Sequence, residues 1–377
     1  MALLVPLSAE AVPQFARKEG RDCTTCHVAY PKLNETGHIY KMNGYRFPGT
    51  KGTNIWEQKF VPLSMVAEIE AFIDQTKPIS GKNNTVGPDA KIDEIEIMGA
   101  GTLGDRVAFF AELEFEGSPG FGDIDVGMGP VWGQLNDLYG PQGALNARVG
   151  QFDVDLPFFA QGRRVVRNGY LMFDKLGYLD TQFGLELNGQ LLSDEEEGGH
   201  THRYGAGVIR TDVKGDNNKF TRGYGWYSKT IDDRTHIGTM VMGGRDNDGT
   251  RNFETVGVLV AGQTECDHWI LTAAYAFDFQ DFRMSAGGNM KFHNALVEAL
   301  WLPTDRWVFG GRIDWLIETE RRRKKDWGLR GSVLGRYNVV ANVWLGAEYR
   351  IEDGGTDSPV TAADTTHKGR LFAFLAF

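Results

Sequence analysis

From about residue 64 to its last residue, the chain alternates apolar and polar positions in one segment after another. In the first segment Met65, Ala67 and Ile69 share one face, and Glu68 and Glu70 share the other. A period of two is typical of a β-strand whose two faces meet different surroundings. The segments are about nine to thirteen residues long, the length with which a tilted strand crosses a bilayer. The pattern therefore predicts strands that span a membrane.

Sixteen such segments follow one another along the chain. An even number of antiparallel strands can close into a barrel, which leaves no unpaired edge within the lipid. The predicted fold class is therefore all-β, a 16-stranded antiparallel outer-membrane β-barrel surrounded by outer-membrane lipid. The predicted strands cover residues 64–76, 92–101, 106–116, 130–139, 146–153, 180–191, 201–212, 218–230, 234–244, 251–262, 266–278, 288–301, 306–318, 326–337, 342–352 and 369–377.

The links between these strands agree with a barrel. Links after strands two, four, eight, ten, twelve and fourteen are short, whereas those after strands one, three, five, eleven and fifteen are longer. The link after strand six, residues 192–200, breaks the rule. Outer-membrane barrels have short periplasmic turns and longer outer loops. This parity predicts that the amino-terminal segment lies on the periplasmic side or in the lumen.

Composition adds two exclusions. The 377 residues carry a net charge of −10, which argues against nucleic acid as a partner. No run of eighteen apolar residues occurs, which argues against a transmembrane helix. The last segment ends on Phe377, a terminal aromatic residue that resembles the insertion signal of outer-membrane barrels.

The strongest chemical signal is the pentapeptide Cys23-Thr24-Thr25-Cys26-His27. Covalent haem attachment needs two thiols at this spacing, one for each haem vinyl group, and an adjacent imidazole to bind the iron. A structural zinc site would need a second pair of this kind, and the chain has only three cysteines. The sequence therefore predicts one haem c, bound covalently by Cys23 and Cys26, with His27 as proximal iron ligand.

The amino-terminal region divides into two parts. Residues 1–11 are largely apolar and end in Ala-Glu-Ala, the form of a signal-peptidase site, so we interpret them as a signal-peptide remnant. Residues 12–60 form a monohaem cytochrome c segment, and residues 61–377 form the porin-like barrel. Pro31 and Gly37 interrupt the segment, which is too short for a complete cytochrome c domain. We therefore expect it to be a plug whose haem the barrel shelters.

The sequence offers several candidates for the sixth iron ligand. Met42, fifteen residues beyond His27, would raise the haem potential, which suits an acceptor of electrons from Fe(II). His38 is the alternative, and ligation by two histidines would lower the potential. Met65 is a weaker third candidate, and an open coordination position is the fourth. We predict Met42.

A second group of polar residues belongs to the first three predicted strands. If their apolar faces point to lipid, their carboxylates line the lumen. Such a wall could concentrate Fe(II), which accepts carboxylate oxygen ligands. The simpler interpretation is a charged lumen onto which the basic residues Arg17, Arg21 and Lys32 of the plug dock. The carboxylates of this wall belong to Glu68, Glu70, Glu94, Glu96, Glu112 and Glu114.

The amino-terminal block resembles that of the fused monohaem cytochrome-porin family, whose members include outer-membrane iron oxidases. The resemblance covers about thirty-five residues and consists of Val12-Pro13-Gln14-Phe15-Ala16-Arg17, the Cys23–His27 pentapeptide, Pro31-Lys32-Leu33-Asn34, Gly37 and Gly44-Tyr45.

The resemblance implies an electron conduit in the bacterial outer membrane, an oxidoreductase type of activity. Extracellular Fe(II) would be the electron donor, haem c the carrier and a periplasmic cytochrome the acceptor. Three alternatives stay open: a passive porin with the haem segment as plug, a conduit for a different donor, and a soluble periplasmic cytochrome fused to a β-rich domain.

Overall fold

A computed structural model provides the structure of the chain. Residues 1–11, interpreted above as a signal-peptide remnant, lie outside the described residues, as do residues 12, 13 and 58–61 near the predicted domain boundaries. The structure describes residues 14–57, 62–78, 84–154, 156–176, 181–193, 200–211, 219–247, 252–281, 289–320, 326–340, 342–355 and 363–376.

The described amino-terminal segment contains the helices α1 (Gln14–Glu19) and α2 (Glu35–Met42), the strands β1 (His27–Ala29) and β2 (Lys32–Leu33), and two short 3-10 helices (Cys23–Thr25 and Ile55–Glu57). β1 and β2 pair with each other, and with no other strand of the described ranges. Asn34 begins α2 because its side chain accepts a hydrogen bond from the Gly37 amide, at 2.9 Å. We call residues 14–57 the plug.

Sixteen strands, β3 to β18, pair antiparallel with their neighbours, and β18 closes on β3. The predicted 16-stranded antiparallel barrel is confirmed. The strands are β3 (Leu63–Pro78), β4 (Asn84–Leu103), β5 (Val107–Gly117), β6 (Ile124–Leu135), β7 (Asn146–Phe152), β8 (Gln182–Leu192), β9 (Thr201–Ile209), β10 (Arg222–Ile231), β11 (Thr235–Asn247), β12 (Asn252–Cys266), β13 (Trp269–Asp281), β14 (Asn289–Thr304), β15 (Trp307–Glu320), β16 (Asp326–Val340), β17 (Val343–Gly355) and β18 (Ala363–Ala376).

The predicted starts of three strands are wrong by six residues or more. One is β6, which begins at Ile124 and not at residue 130. β4 begins eight residues before its predicted start at residue 92, and β18 begins six residues before its predicted start at residue 369. The residues added to β4 and β18 are mostly polar, so apolar alternation could not reveal them. They extend the hairpins beyond the apolar part of the wall, and the predicted long links of residues 77–91 and 353–368 are largely strand.

The outer surface of the barrel is apolar. In β3, Met65, Ile69 and Ile73 are exposed, whereas Glu68 and Glu70 between them are buried in the interior. Aromatic side chains gather near the short β12–β13 and β14–β15 turns, where Trp269 stacks on Trp301 and the rings of Phe309 and Trp307 continue the row. An apolar belt with an aromatic girdle is typical of a barrel in a membrane. None of the described helices is long and apolar enough to cross a membrane.

The long link between β7 and β8 folds into the lumen. Its described part includes the short helix α3 (Leu171–Leu176), and most of its apolar residues are buried, among them Leu156, Phe159 and Tyr170. We call residues 153–181 the inner loop. Glu348 of β17 accepts hydrogen bonds from the backbone amides at residues 167 and 168 of the inner loop, at 2.7 and 3.1 Å. The loop thereby becomes part of the core.

The plug occupies the end of the lumen that carries the short turns. Its Arg46 donates to the carbonyl of Asp105 in the β4–β5 turn and pairs with Asp137 in the β6–β7 turn, at 2.6 and 2.8 Å. Its Gly49 amide donates to Gln142 of the same β6–β7 turn, at 2.7 Å. The plug therefore lies on the side that link parity assigns to the periplasm.

Candidate functional site

The Cys-x-x-Cys-His motif is held against the beginning of α2. The carbonyl of Cys26 accepts a hydrogen bond from the Asn34 amide at 3.0 Å, and the Asn34 side chain donates to the carbonyls of Thr24 and Thr25. Gly37 packs so closely on Cys26 that a methyl group there would collide with the Cys26 carbonyl oxygen. The motif therefore has one fixed conformation, and Gly37 is required because of the close packing.

The two cysteines of the motif are free thiols, and both are partly buried. Burial raises the pKa of Cys26 to about 11, and the nearby Glu19 carboxylate adds to the shift. Burial, with Asp22, also raises the pKa of Cys23. Both side chains are therefore protonated at neutral pH, and neither is used in a disulfide.

His27 is suited to bind a metal ion. Burial lowers the pKa of His27 to about 4, although the backbone carbonyls of Pro31 and Lys32 favour its charged form. The imidazole is therefore neutral at pH 7, the form that ligates iron. Its Nδ1 atom is buried and has no hydrogen-bond partner among the described residues. Two free thiols and an imidazole with an unused buried nitrogen fit the predicted haem c.

Tyr30 connects this motif to the barrel wall. Its ring centre lies 5.3 Å from that of His27, 5.1 Å from that of Trp344 and 5.4 Å from that of Phe374. The Arg336 guanidinium donates to the Tyr30 carbonyl at 2.6 Å. The sequence pattern points to neither Tyr30 nor Arg336 as part of this site. An arginine at an inward position of a strand was the available signal, but the alternation alone does not show what it faces.

Burial raises the pKa of Tyr30, and the carboxylates of Glu96 and Glu112 together with the Cys23 thiol add to the shift. The acidic wall predicted from the sequence and the Cys-x-x-Cys-His motif are therefore electrostatic neighbours.

The two predicted candidates for the sixth ligand lie on α2 in different surroundings. His38 is 2% exposed, and its ring centre is 5.5 Å from that of His236 in β11. Met42 is partly buried against the apolar cluster that contains Tyr40 and Tyr45. The choice between Met42 and His38 stays a prediction.

A buried ion pair fixes α2 to the wall. Glu35, the first residue of α2, accepts a hydrogen bond from Arg203 of β9 at 2.5 Å and another from Thr230 of β10 at 3.0 Å. The His236 imidazole lies 3.8 Å from the same carboxylate. Because the side chains of Arg203 and His236 are almost fully buried, this contact is shielded from water. We call this contact the Glu35 anchor.

The carboxylates of the predicted acidic wall fall into two groups. Glu68 pairs with Arg167 of the inner loop, and Glu70 lies 3.7 Å from Lys91 and 3.5 Å from Arg370. With Asp93, these two glutamates bring carboxylate oxygens within 4.8 Å of one another, close enough to share a cation. The three basic groups already balance the three carboxylates, so this first group is a structural ion network.

The second group has no such balance. Among the described residues, no ion pair joins these carboxylates, Glu94, Glu96, Glu112 and Glu114, to a basic side chain. Arg167 attracts Glu94 and Glu96 from a greater distance, but it already pairs with Glu68 and Asp93. β4 and β5 bring the carboxylates of the second group together, since Glu96 pairs in register with Glu114. A methyl group at Gly129 of β6 would collide with the Glu114 carboxylate and lie 3.1 Å from Glu112 Oε1. The glycine thus leaves room for both carboxylates.

Comparison with known proteins gives a fold and no closer relationship. No protein-family model matches the chain, and no curated protein matches its sequence. Solved structures do match. The chain has a porin fold.

Three of the similar structures are outer-membrane proteins. An anion-selective porin from Comamonas acidovorans aligns with a TM-score of 0.59 at 10% identity, covering 84% of this chain and 98% of that one. A loop-deletion mutant of OmpT from Vibrio cholerae aligns with a TM-score of 0.56 at 12% identity, covering 84% and 99%. The channel DcaP of Acinetobacter baumannii aligns with a TM-score of 0.55 at 11% identity, covering 84% of this chain and 96% of that one. At these identities the likeness concerns the fold.

Proposed function

We propose that this protein is an outer-membrane electron conduit that carries one covalent haem c in its plug and takes electrons from extracellular Fe(II). The observation that carries the proposal is the position of Cys23, Cys26 and His27. They form a preorganised attachment site inside a barrel whose lumen the plug and the inner loop fill. Apolar side chains of the plug and the inner loop pack together there, where an open barrel of this size would hold water.

Each group in the chain has a distinct role. Cys23 and Cys26 would hold the haem, His27 would bind its iron, and Met42 or His38 would complete the coordination. When bound, haem c supplies a one-electron couple that accepts the electron released as Fe²⁺ becomes Fe³⁺ and passes it to a periplasmic cytochrome. The buried side chains around Tyr30 keep water from the site. The proposed direction of transfer is inward because the plug lies at the short-turn end.

The second group of wall carboxylates would give the protein its preference for a cation as electron donor. In their ionised form, Glu94, Glu96 and Glu112 would make a negative region near Tyr30. Such a region raises the local concentration of divalent cations and their rate of arrival. Carboxylate oxygen also suits Fe²⁺, which is a hard to borderline cation. This region would guide Fe²⁺ towards the motif.

A passive channel is the second candidate, because all three similar structures are outer-membrane proteins and one is named an anion-selective porin. Two features of this chain disfavour it. Buried ion pairs hold the plug in the lumen. Its pentapeptide has the spacing of a haem attachment site, which passive diffusion through a channel does not require. The acidic wall also gives a charge sign opposite to the one that anion selectivity requires.

The test is reduction of the purified protein by Fe²⁺. We expect covalently bound haem in the intact chain, detected by mass and by its optical spectrum in detergent, and rapid reduction of ferric haem by excess Fe²⁺ at neutral pH. The variant Cys26→Ala should lose covalent attachment at that position, while Cys266→Ala, the matched control, should keep it. Haem that stays ferric in excess Fe²⁺ would exclude the iron-oxidising role.

A further inference from the structure

A cavity of about 160 Å³ lies between the plug, the inner loop and the barrel wall. Tyr30 and Pro31 of the plug form one side, and the inner loop around residues 161–167 forms another. The aromatic side chains of Trp344, Phe372 and Phe374 line the wall. Because Tyr30 contacts His27, the cavity lies beside the predicted haem attachment site.

Two guanidinium groups in this cavity lack a balancing carboxylate. Arg336 of β16 is 4% exposed, and it donates only to the Tyr30 carbonyl and lies over Trp344 among the contacts of the described residues. Its Nε atom has no hydrogen-bond partner there. Arg164 of the inner loop donates to the carbonyls of Gln161 and Arg167, at 2.5 and 2.8 Å. Neither arginine forms an ion pair within the described chain.

A buried cation without an anion is costly, so it points to a partner that brings negative charge. Burial next to Arg167 and Arg312 lowers the pKa of Arg164 to about 10, so Arg164 is still charged at neutral pH. The cavity thus offers aromatic and apolar walls with two unmatched guanidinium groups. A flat macrocycle with carboxylates on one edge has the complementary chemistry.

We propose that Arg336 and Arg164 bind the two propionate carboxylates of haem c, so that the barrel wall and the inner loop, and not only the plug, position the cofactor. The inference rests on the proposed haem attachment. Guanidinium groups bind carboxylates through charge-assisted, often bidentate, hydrogen bonds. The cavity is large enough for the carboxylate-bearing edge, while the rest of the ring would extend towards Cys23 and Cys26.

Acidic residues in the same cavity limit the orientation. Glu68, Glu94 and Glu96 of β3 and β4 line its opposite side, and Arg167 neutralises Glu68. Propionates directed at Glu94 and Glu96 would meet like charges. The propionate edge must therefore face β16 and the inner loop, which leaves the acidic side free for a cation.

The test measures the haem midpoint potential in the intact chain. A positive charge near the haem disfavours the ferric state, so its removal lowers the potential. We expect Arg336→Gln and Arg164→Gln each to change the ferrous-to-ferric equilibrium about tenfold, a shift of about 59 mV to more negative potential for one electron. Arg336→Lys should keep most of the wild-type value because it retains the charge. Arg222→Gln, a buried arginine of β10 that pairs with Asp246 away from this cavity, is the control and should not change the potential.

The outcomes separate this inference from the proposed function. Covalent haem and reduction by Fe²⁺ in the wild type, with unchanged potentials in both Arg336→Gln and Arg164→Gln, would overturn the propionate assignment alone. Absence of covalent haem from the wild type would overturn both. Because Arg164 lies in the inner loop and Arg336 in the wall, a folding defect in one variant leaves the other to decide.

Discussion

At the scale of single residues, neighbouring carboxylates of one wall have different roles. Glu68 pairs with Arg167 and so joins the wall to the inner loop, whereas Glu70 is matched by Lys91 and Arg370 of the wall itself. Glu96 and Glu112 form no ion pair among the described residues and lie near Tyr30. Only the unmatched carboxylates leave a net negative field that can attract a cation.

This difference predicts which glutamates affect the reaction with Fe²⁺. The double variant Glu96→Gln/Glu112→Gln should lower the second-order rate of haem reduction about tenfold at low ionic strength, because attraction of the cation is weakened. The difference should shrink in about 1 M salt, where charges are screened beyond about 3 Å. Stopped-flow absorbance measures both rates.

Glu57→Gln is the control for this prediction. Glu57 lies on the exposed part of the plug, where Asn54 is its contact. Equal rates for Glu57→Gln and the wild type, together with a slow double variant, agree with the prediction. A double variant that reacts as fast as the wild type at low salt would remove the acidic wall from the mechanism.

At the scale of elements, α2 and the Glu35 anchor hold the plug. Arg203 contributes a nearly fully buried charge, and Glu35 balances it. Removal of one partner from a buried ion pair costs about 3–5 kcal/mol, because the remaining charge is left uncompensated. The contact between α2 and the wall is therefore the point at which docking of the plug is most sensitive to substitution.

We expect Glu35→Ala to reduce the free energy of plug docking by about 3–5 kcal/mol while the barrel stays folded. Hydrogen exchange of amides in residues 35–42 should speed up, with no change in the barrel strands. Thr36→Ala, at an exposed position of the same helix, provides the comparison. Unchanged exchange in Glu35→Ala would mean that other contacts, such as Arg46 with Asp137, hold the plug without it.

The elements of the wall were predictable from sequence, and the contents of the lumen were not. Strand alternation is a local signal, so the existence of β3 to β18 follows from it. The link parity predicts that the inner loop is an outer loop exposed to water. Its apolar residues Leu156, Phe158 and Phe159, which are buried in the structure, indicate the opposite. Its position depends on Glu348, almost two hundred residues away in sequence, and such a contact leaves no local pattern.

The same limit applies to the candidate site. The pentapeptide ending at His27 could be recognised because its chemistry is contained in five consecutive residues. Arg336 could not be assigned to the site, because its neighbour Tyr30 is separated from it by 306 residues. The inward direction of the wall carboxylates followed from the period of the strands, but their basic partners did not.

At the scale of the whole molecule, a barrel of sixteen strands is wide enough for an aqueous channel, yet its lumen is filled from two directions. The plug enters from the short-turn end, and the inner loop folds in from the other side. Tyr40 and Tyr45 of the plug and Phe159 and Tyr170 of the loop belong to one apolar cluster. The molecule therefore has a continuous core where a porin has water.

This core predicts very low ion conductance. In planar lipid bilayers we expect the intact chain to give no discrete porin-like current steps, and a variant without residues 14–57 to give measurable ones. Folding of both proteins is checked by the heat-dependent gel mobility of barrels. Large, stable current steps from the intact chain would instead favour the passive channel.

The seam between β18 and β3 has a consequence for biogenesis. In the closed barrel, Cys23 and Cys26 are partly buried. An enzyme that attaches haem to them would have to pull the plug out of the lumen first. If the proposed haem is attached, maturation should therefore run in one order: the haem would be joined to the free plug in the periplasm, and β18 would pair with β3 around it afterwards.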